Sequence, residues 1–255
     1  PVGSARVEGA GYVVRGAAVE QVELNGGGGN DSVRMWDSTG NDTFIAGPDS
    51  ATFTGEGFSR VINDFEEVNA YANAGGNDTA QLNGSDGNDI LTAKPTYAKL
   101  EGTGFVNYAQ GFDVVQATAG GGNFDRARIY DSAGDDSLTM DPTAARLVGT
   151  GYDNSASGFD QVKAYALTGG TDQAYLTDSA GDDTFLATPS HASLRGTGFL
   201  NYAKGFDQVV AESTAGGTDA AILYDSSGDD TFTAAPTDAV LSGTGFSNQV
   251  LTFEE

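Results

Sequence analysis

Ten carboxylates recur along the chain, at Asp42, Glu66, Asp89, Asp113, Asp136, Asp160, Asp183, Asp207, Asp230 and Glu254. Successive members are 24, 23, 24, 23, 24, 23, 24, 23 and 24 residues apart. Carboxylates are hard oxygen donors. A row of them can bind a hard cation, work in pairs on glycosidic bonds, or accept hydrogen bonds from backbone N–H groups. If the chain coils and passes over itself at this interval, the acids stack at the strand spacing of ~4.8 Å. Neighbours then repel by ~0.9 kcal/mol in bulk water and by ~3.5 kcal/mol at an effective dielectric of 20. Summed along the row, this is comparable to the net stability of a domain. Ca²⁺, which takes six to eight oxygens from carboxylates and carbonyls, would offset it. The other reading has each Asp bond the N–H groups of its own turn and fan out into screened solvent. Both stand at this point.

The elements that must carry the row are strands. Pro1, Pro48, Pro95, Pro142, Pro189 and Pro236 lie 47 residues apart. A period in this range marks a repeat architecture. The copies run 1–47, 48–94, 95–141, 142–188 and 189–235, with a partial copy at 236–255, and together form a single repeat domain. Within a copy apolar and polar residues alternate, the period of a half-buried strand, and Gly, Asn, Asp and Ser punctuate them. No segment has helical periodicity. Each copy divides into two coils of 23 and 24 residues, which predicts an all-β parallel solenoid of about eleven coils. Three further columns agree with that register. One runs Phe44, Val68, Leu91, Val115, Leu138 and onward, a second Ala46, Ala70, Ala93, Ala117 and Met140, and a third Met35, Phe58, Leu82, Phe105 and Ile129. A β-propeller, whose four-stranded blades are of similar length, is the architectural alternative, but a blade has no reason to show an internal half-repeat. A second polar column, Asp37, Arg60, Gly84, Asn107, Asp131, Asn154, Asp178, Asn201, Asp225 and Asn248, reads as an Asn/Asp turn ladder in which amides bridge successive carboxylates.

The turn phrase is "DSAGDD" at 131–136 and 178–183, and "LNGSDGNDILTA" at 82–93. The latter stretch resembles the haemolysin-type, or RTX, calcium-binding nonapeptide of parallel β-rolls. The phrases "GFDQV" at 205–209 and "FEEV" at 65–68 look like the divergent versions found in large bacterial surface proteins. The resemblance covers the chain as a pattern, with one turn per 47 residues matching closely. It departs from the family where Asp-Ser replaces the opening glycine doublet and where the coils exceed the family's length. The resemblance implies a secreted, calcium-loaded solenoid at the cell surface. In it Asp42, Asp89, Asp136, Asp183 and Asp230 match the ligating aspartate, and Gly40, Gly87, Gly134, Gly181 and Gly228 supply carbonyl oxygens. Glu66, Asp113, Asp160 and Asp207 complete the acidic row.

Composition narrows the function. With 36 Asp and Glu against 12 Lys and Arg, the net charge is −24, a poor match to nucleic acid. There is no Cys, and no apolar run approaches the ~20 residues of a membrane helix. The chain opens Pro-Val-Gly-Ser and reads as a processed product or a piece of something longer. One His, His191, and no Cys leave His-based triads and transition-metal sites poorly supplied. The expectation is therefore no enzyme but an extracellular structural repeat. It would be a rigid calcium-stabilised spacer, adhesin stalk or filament subunit of a bacterial surface protein, able to associate end to end. The alternative is a carbohydrate-binding module, or a polysaccharide-active enzyme on a β-helix. Trp36, Tyr130 and Tyr224 share one repeat position and Tyr108 and Tyr202 another, which would give glycans an aromatic stripe.

Overall fold

A computed structural model describes residues 4–9, 12–17, 19–122 and 124–254. Among the described residues every regular element is a strand, and none is a helix. The first thirteen are β1 (Ser4–Gly9), β2 (Tyr12–Ala17), β3 (Gln21–Asn25), β4 (Ser32–Trp36), β5 (Thr43–Ala46), β6 (Ser50–Gly55), β7 (Phe58–Asn63), β8 (Glu67–Tyr71), β9 (Thr79–Asn83), β10 (Ile90–Lys94), β11 (Tyr97–Gly102), β12 (Phe105–Gln110) and β13 (Val114–Thr118). There follow β14 (Arg126–Tyr130), β15 (Ser137–Met140), β16 (Ala144–Gly149), β17 (Tyr152–Ser157), β18 (Gln161–Tyr165), β19 (Gln173–Thr177) and β20 (Thr184–Thr188). The last are β21 (His191–Gly196), β22 (Phe199–Lys204), β23 (Gln208–Glu212), β24 (Ala220–Leu223), β25 (Thr231–Ala235), β26 (Asp238–Gly243) and β27 (Phe246–Leu251).

The strands belong to two compact units, one comprising residues 1–89 and 96–122 and the other residues 90–95 and 123–255. Each unit is a β-solenoid in which the chain shuttles between two facing sheets. In the first unit one sheet runs β4-β8-β12-β11 and the other β3-β7-β6-β5-β9-β13, beside the β1-β2 hairpin. In the second unit the runs are β10-β14-β18-β22-β21-β20-β24 and β17-β16-β15-β19-β23-β27-β26-β25. Successive visits to one sheet pair in parallel. Each copy also contains an antiparallel backstep, such as β5-β6-β7 or β20-β21-β22.

That backstep corrects the expected coil. Thr43 pairs with Thr79 and Thr79 with Val114, steps of 36 and 35 residues. In the second unit Ser137 pairs with Gln173 and Gln173 with Gln208, again 36 and 35. Where a backstep ends a visit the step is 39, as from Gln161 to Leu200. Eleven coils of 23–24 residues are therefore replaced by fewer, longer ones. The interior assignments survive the change, because period-2 alternation fixes which residues point inward whatever the register. Phe44, Val68, Leu91, Val115 and Leu138 are all buried, as are Ala46, Ala70, Ala93, Ala117 and Met140. Their neighbours differ from the expected ones. Phe44 lies beside Ala80 and Ala80 beside Val115, while Ala46 lies beside Leu82 and Leu82 beside Ala117. In the second unit Leu138, Ala174 and Val209 make the same large-small-large sequence. Alternating sizes let side chains from two facing sheets interdigitate at crystal-like density. Each fully buried Phe or Leu contributes roughly 1.5–3 kcal/mol.

The facing sheets are also joined by buried amides. Asn107 donates through Nδ2 to the Gly47 carbonyl at 2.9 Å, Asn154 to Lys94 at 3.1 Å, Asn201 to Asp141 at 2.7 Å and Asn248 to Thr188 at 3.1 Å. Each bond reaches back 60 residues and crosses from one sheet to the other. This corrects the expected ladder, since the amides satisfy strand-end carbonyls and do not bridge carboxylates. Buried carbonyls left unpaired would each cost about 1–3 kcal/mol.

Candidate metal centre

The phrase Asp-Ser-x-Gly-x-Asp folds into a closed turn at the entry to a strand. Ser179 N–H donates to Asp183 Oδ2 at 2.6 Å, and its hydroxyl donates to the same oxygen at 2.8 Å. Gly181 N–H in turn donates to Ser179 Oγ at 3.3 Å. The same turn forms at Ser38 with Asp42, Ser85 with Asp89, Ser132 with Asp136 and Ser226 with Asp230. Gly40, Gly87, Gly134 and Gly228 donate as Gly181 does. Of the two readings left open above, bonding within the turn is what these aspartates do. They do not fan into solvent, however: Asp42, Asp89, Asp136 and Asp183 are buried, and Asp230 is half-buried. The carbonyl of Gly181 is crossed closely by the next coil. A Cβ on Gly217, whose φ is +109°, would sit 2.4 Å from that oxygen.

Between the coils the carboxylates form short relays. Asp42 N–H donates to Asp78 Oδ1 and Asp78 N–H to Asp113 Oδ2, both at 2.8 Å. In the second unit Asp136 donates to Asp172 and Asp172 to Asp207, both at 2.9 Å. Asp183 donates to Asp219 at 2.7 Å and Asp219 to Glu254 at 2.9 Å. Asp31 N–H donates to Glu66 and Asp125 N–H to Asp160 in the same way, both at 2.7 Å. Each acid thus caps the backbone of the coil below. Asp42 and Asp113 do belong together, but Asp78 stands between them, and Glu66 lies in another relay. Glu66, Asp113, Asp160 and Asp207 form the half-buried ends.

Five further relay members were absent from the row of ten. Asp31, Asp78, Asp125, Asp172 and Asp219 recur at intervals of 47 and could have been found by reading the large repeat alone. Asp78, Asp125, Asp172 and Asp219 are at most 2% exposed. Burial first, then the charges of Asp42, Asp37 and Asp113, push the Asp78 carboxyl up to about 6. Burial and the charges of Asp136, Asp131 and Asp207 likewise push Asp172 up to about 6.

A further aspartate closes each cluster. Asp37 accepts from Ala74 N–H at 2.7 Å, Asp131 from Thr168 N–H at 2.9 Å, and Asp178 from Thr214 and Ala215 N–H at 3.1 Å. Asp178, Asp183 and Asp219, all buried, each bring one carboxylate oxygen within 4.8 Å of the others. Oδ1 of Asp183 is buried with no hydrogen-bond partner. Its counterpart on Asp136 accepts from the Tyr152 hydroxyl at 2.9 Å, whereas Phe199 occupies the corresponding position beside Asp183. The contrast predicts that Phe199→Tyr stabilises the protein by about 1 kcal/mol, read as a higher urea midpoint. An unchanged midpoint would show that Oδ1 is already satisfied.

Three adjacent buried carboxylates with one oxygen unpaired demand protonation or a cation. In the first unit a cation of the chain itself is at hand: Arg60 donates to the Trp36 carbonyl and is attracted by Asp42 and Asp37. At the matching positions the second unit carries neutral Asn154 and Asn201. The donor set is all oxygen and hard. Two oxygens facing across a Ca²⁺ with ligand distances of ~2.4 Å are ~4.8 Å apart, so the span of the Asp178 cluster accommodates that ion. Asp178, Asp183 and Asp219 would hold it, and the ion would supply the positive charge the cluster lacks.

Fold and site together define an all-β repeat solenoid whose turns bury aspartates, one cluster of which, Asp178, Asp183 and Asp219, could hold a metal ion. No protein-family model, curated protein or solved structure matches the chain.

Proposed function

We propose that this chain is an extracellular structural repeat protein of the RTX-like kind, a rigid calcium-stabilised spacer, adhesin stalk or filament subunit of a bacterial surface. The observation that carries the reading is the buried Asp178–Asp183–Asp219 cluster with its unpaired Asp183 oxygen. A structural role is the economical use of such an ion. The large inward side chains of each unit pack coil on coil, and the carboxylates bond the backbone of the neighbouring coil, so a metal there joins coils. End-to-end association is supported by the edge strands β24 and β25. Phe232 is 61% exposed, although its repeat counterparts Phe44 and Phe185 are fully buried. With Leu223, Leu241 and Phe253 it lines a cavity of about 640 Å³ that a coil of a second copy would fill.

Calorimetric titration with calcium tests the proposal. Saturable binding is expected, with fewer sites after Asp183→Asn, together with a higher melting temperature of the parent chain in calcium than in chelator. No heat and an unmoved melt would remove calcium from the account. In sedimentation velocity, association abolished by Phe232→Asp is the expected mark of end-to-end stacking.

A further inference from the structure

The second unit carries a polyanion-binding face, and we propose that it takes a linear acidic polysaccharide. The strands β10, β14, β18, β22, β21, β20 and β24 contain no Asp or Glu, in a chain whose net charge is −24. Their outward positions hold six cations: Lys94, Arg126, Arg128, Lys163, Arg195 and Lys204. The facing sheet of the same unit is the opposite. Its strands carry Asp153, Glu212 and Asp238 and a single cation, Arg146, which is paired with Asp153 at 2.6 Å. Positive charge has thus been gathered on one surface of an acidic molecule.

The arrangement of these cations points to a ligand. Arg128 stands directly opposite Lys163 on the neighbouring strand. Like charges so placed destabilise a sheet unless an anion lies over them, and no acid of these strands is there to do so. Tyrosines hold the lysines in place: Lys94 Nζ lies 5.2 Å from the Tyr130 ring and Lys163 Nζ 5.9 Å from the Tyr202 ring. Tyr130 and Tyr165 stack on each other at 5.0 Å on the same sheet. A surface of ammonium, guanidinium and phenol groups donates hydrogen bonds to carboxylates and sugar hydroxyls alike. Nucleic acid fits less well. Its phosphates pack one negative charge per ~1.7 Å of duplex, which the acidic remainder of the molecule repels. A uronate polymer carries sparser charge and many hydroxyls. The inference rests on the fold and not on calcium binding.

Retention on immobilised polygalacturonate tests it, with the whole chain in chelator so that calcium cannot bridge acid to acid. Binding that weakens with salt is expected, together with none to neutral dextran. Lys163→Ala combined with Lys204→Ala should weaken it about tenfold, the loss of two exposed ion pairs. Arg146→Ala, on the facing sheet, should leave it unchanged. Equal loss on Arg146→Ala, equal retention on dextran, tighter binding to a single-stranded oligonucleotide, or no retention on polygalacturonate would each overturn the proposal. Failure here leaves the calcium titration standing, and the reverse holds as well.

Discussion

Gly149→Ala is expected to destabilise the protein by about 3 kcal/mol or more, enough to shift its urea midpoint far below that of the parent. A Cβ at that position would lie 1.6 Å from Asp136 Oδ1 and 2.5 Å from Cε1 of Tyr152. Neither neighbour can give way. Asp136 is held by the Ser132 N–H and hydroxyl and by the Tyr152 hydroxyl, and both Asp136 and Tyr152 are buried. Displacing the carboxylate would also uncouple the relay to Asp172. Gly151, two residues on, provides the contrast. Its φ of +78° strains any other residue, but nothing lies within 4 Å of a Cβ there, so Gly151→Ala should cost only about 1 kcal/mol. If the two variants unfold at the same denaturant concentration, the packing of glycine against the buried aspartate is not what this position is for.

The second large effect is on the pH dependence of melting. In chelator the protein is expected to melt at a higher temperature at pH 5 than at pH 7. Asp78 and Asp172 sit at about 6 in the folded protein, raised chiefly by burial, against ~3.9 in an unfolded chain. Between those values the folded state binds more protons than the unfolded one, so stability falls as pH rises through the window. This is the reverse of the usual carboxylate, whose lowered folded value makes acid destabilising. Below about pH 4 these two carboxyls are protonated in the unfolded chain as well, and the gain ends. Calcium should flatten the slope, because a cation among the carboxylates favours their ionised form. Melting temperatures that decline from pH 7 to pH 5 in chelator would contradict the assignment of strained carboxyls to the relays.

Much of this was legible in the residues. Alternation identified the interior, and Phe44, Leu91, Leu138 and Phe185 are all buried as it requires. The turn phrase identified Ser38, Ser132 and Ser179 with their aspartates. What misled was the half-repeat. Positions 23–24 residues apart share an environment because the inward faces of the two sheets are both apolar, not because one lies above the other. Leu138 is in β15 and Val162 in β18, on facing sheets, while the parallel neighbour of β15 is β19, reached 36 residues on. Following the half-repeat therefore hid Asp78 and Asp172, although each lies one 47-residue step from its counterparts. The amide bonds of Asn154 and Asn201 join residues 60 apart on facing sheets, a relation no single-strand pattern contains. The unpaired oxygen of Asp183 depends on Phe standing at 199 where Tyr stands at 152, a difference that acquires meaning only when the ring is seen against the carboxylate.

Every relay and cluster depends on which strands are neighbours, and the absence of native cysteine makes that directly measurable. Thr139 and Tyr175 are cross-strand partners on adjacent parallel strands, while Thr139 and Lys163, 24 residues apart, lie on facing sheets. A short thiol cross-linker should join the pair Thr139→Cys and Tyr175→Cys and leave Thr139→Cys with Lys163→Cys unjoined. Cross-linking of the second pair and not the first would restore the shorter coil and dissolve the carboxylate relays on which the metal centre stands.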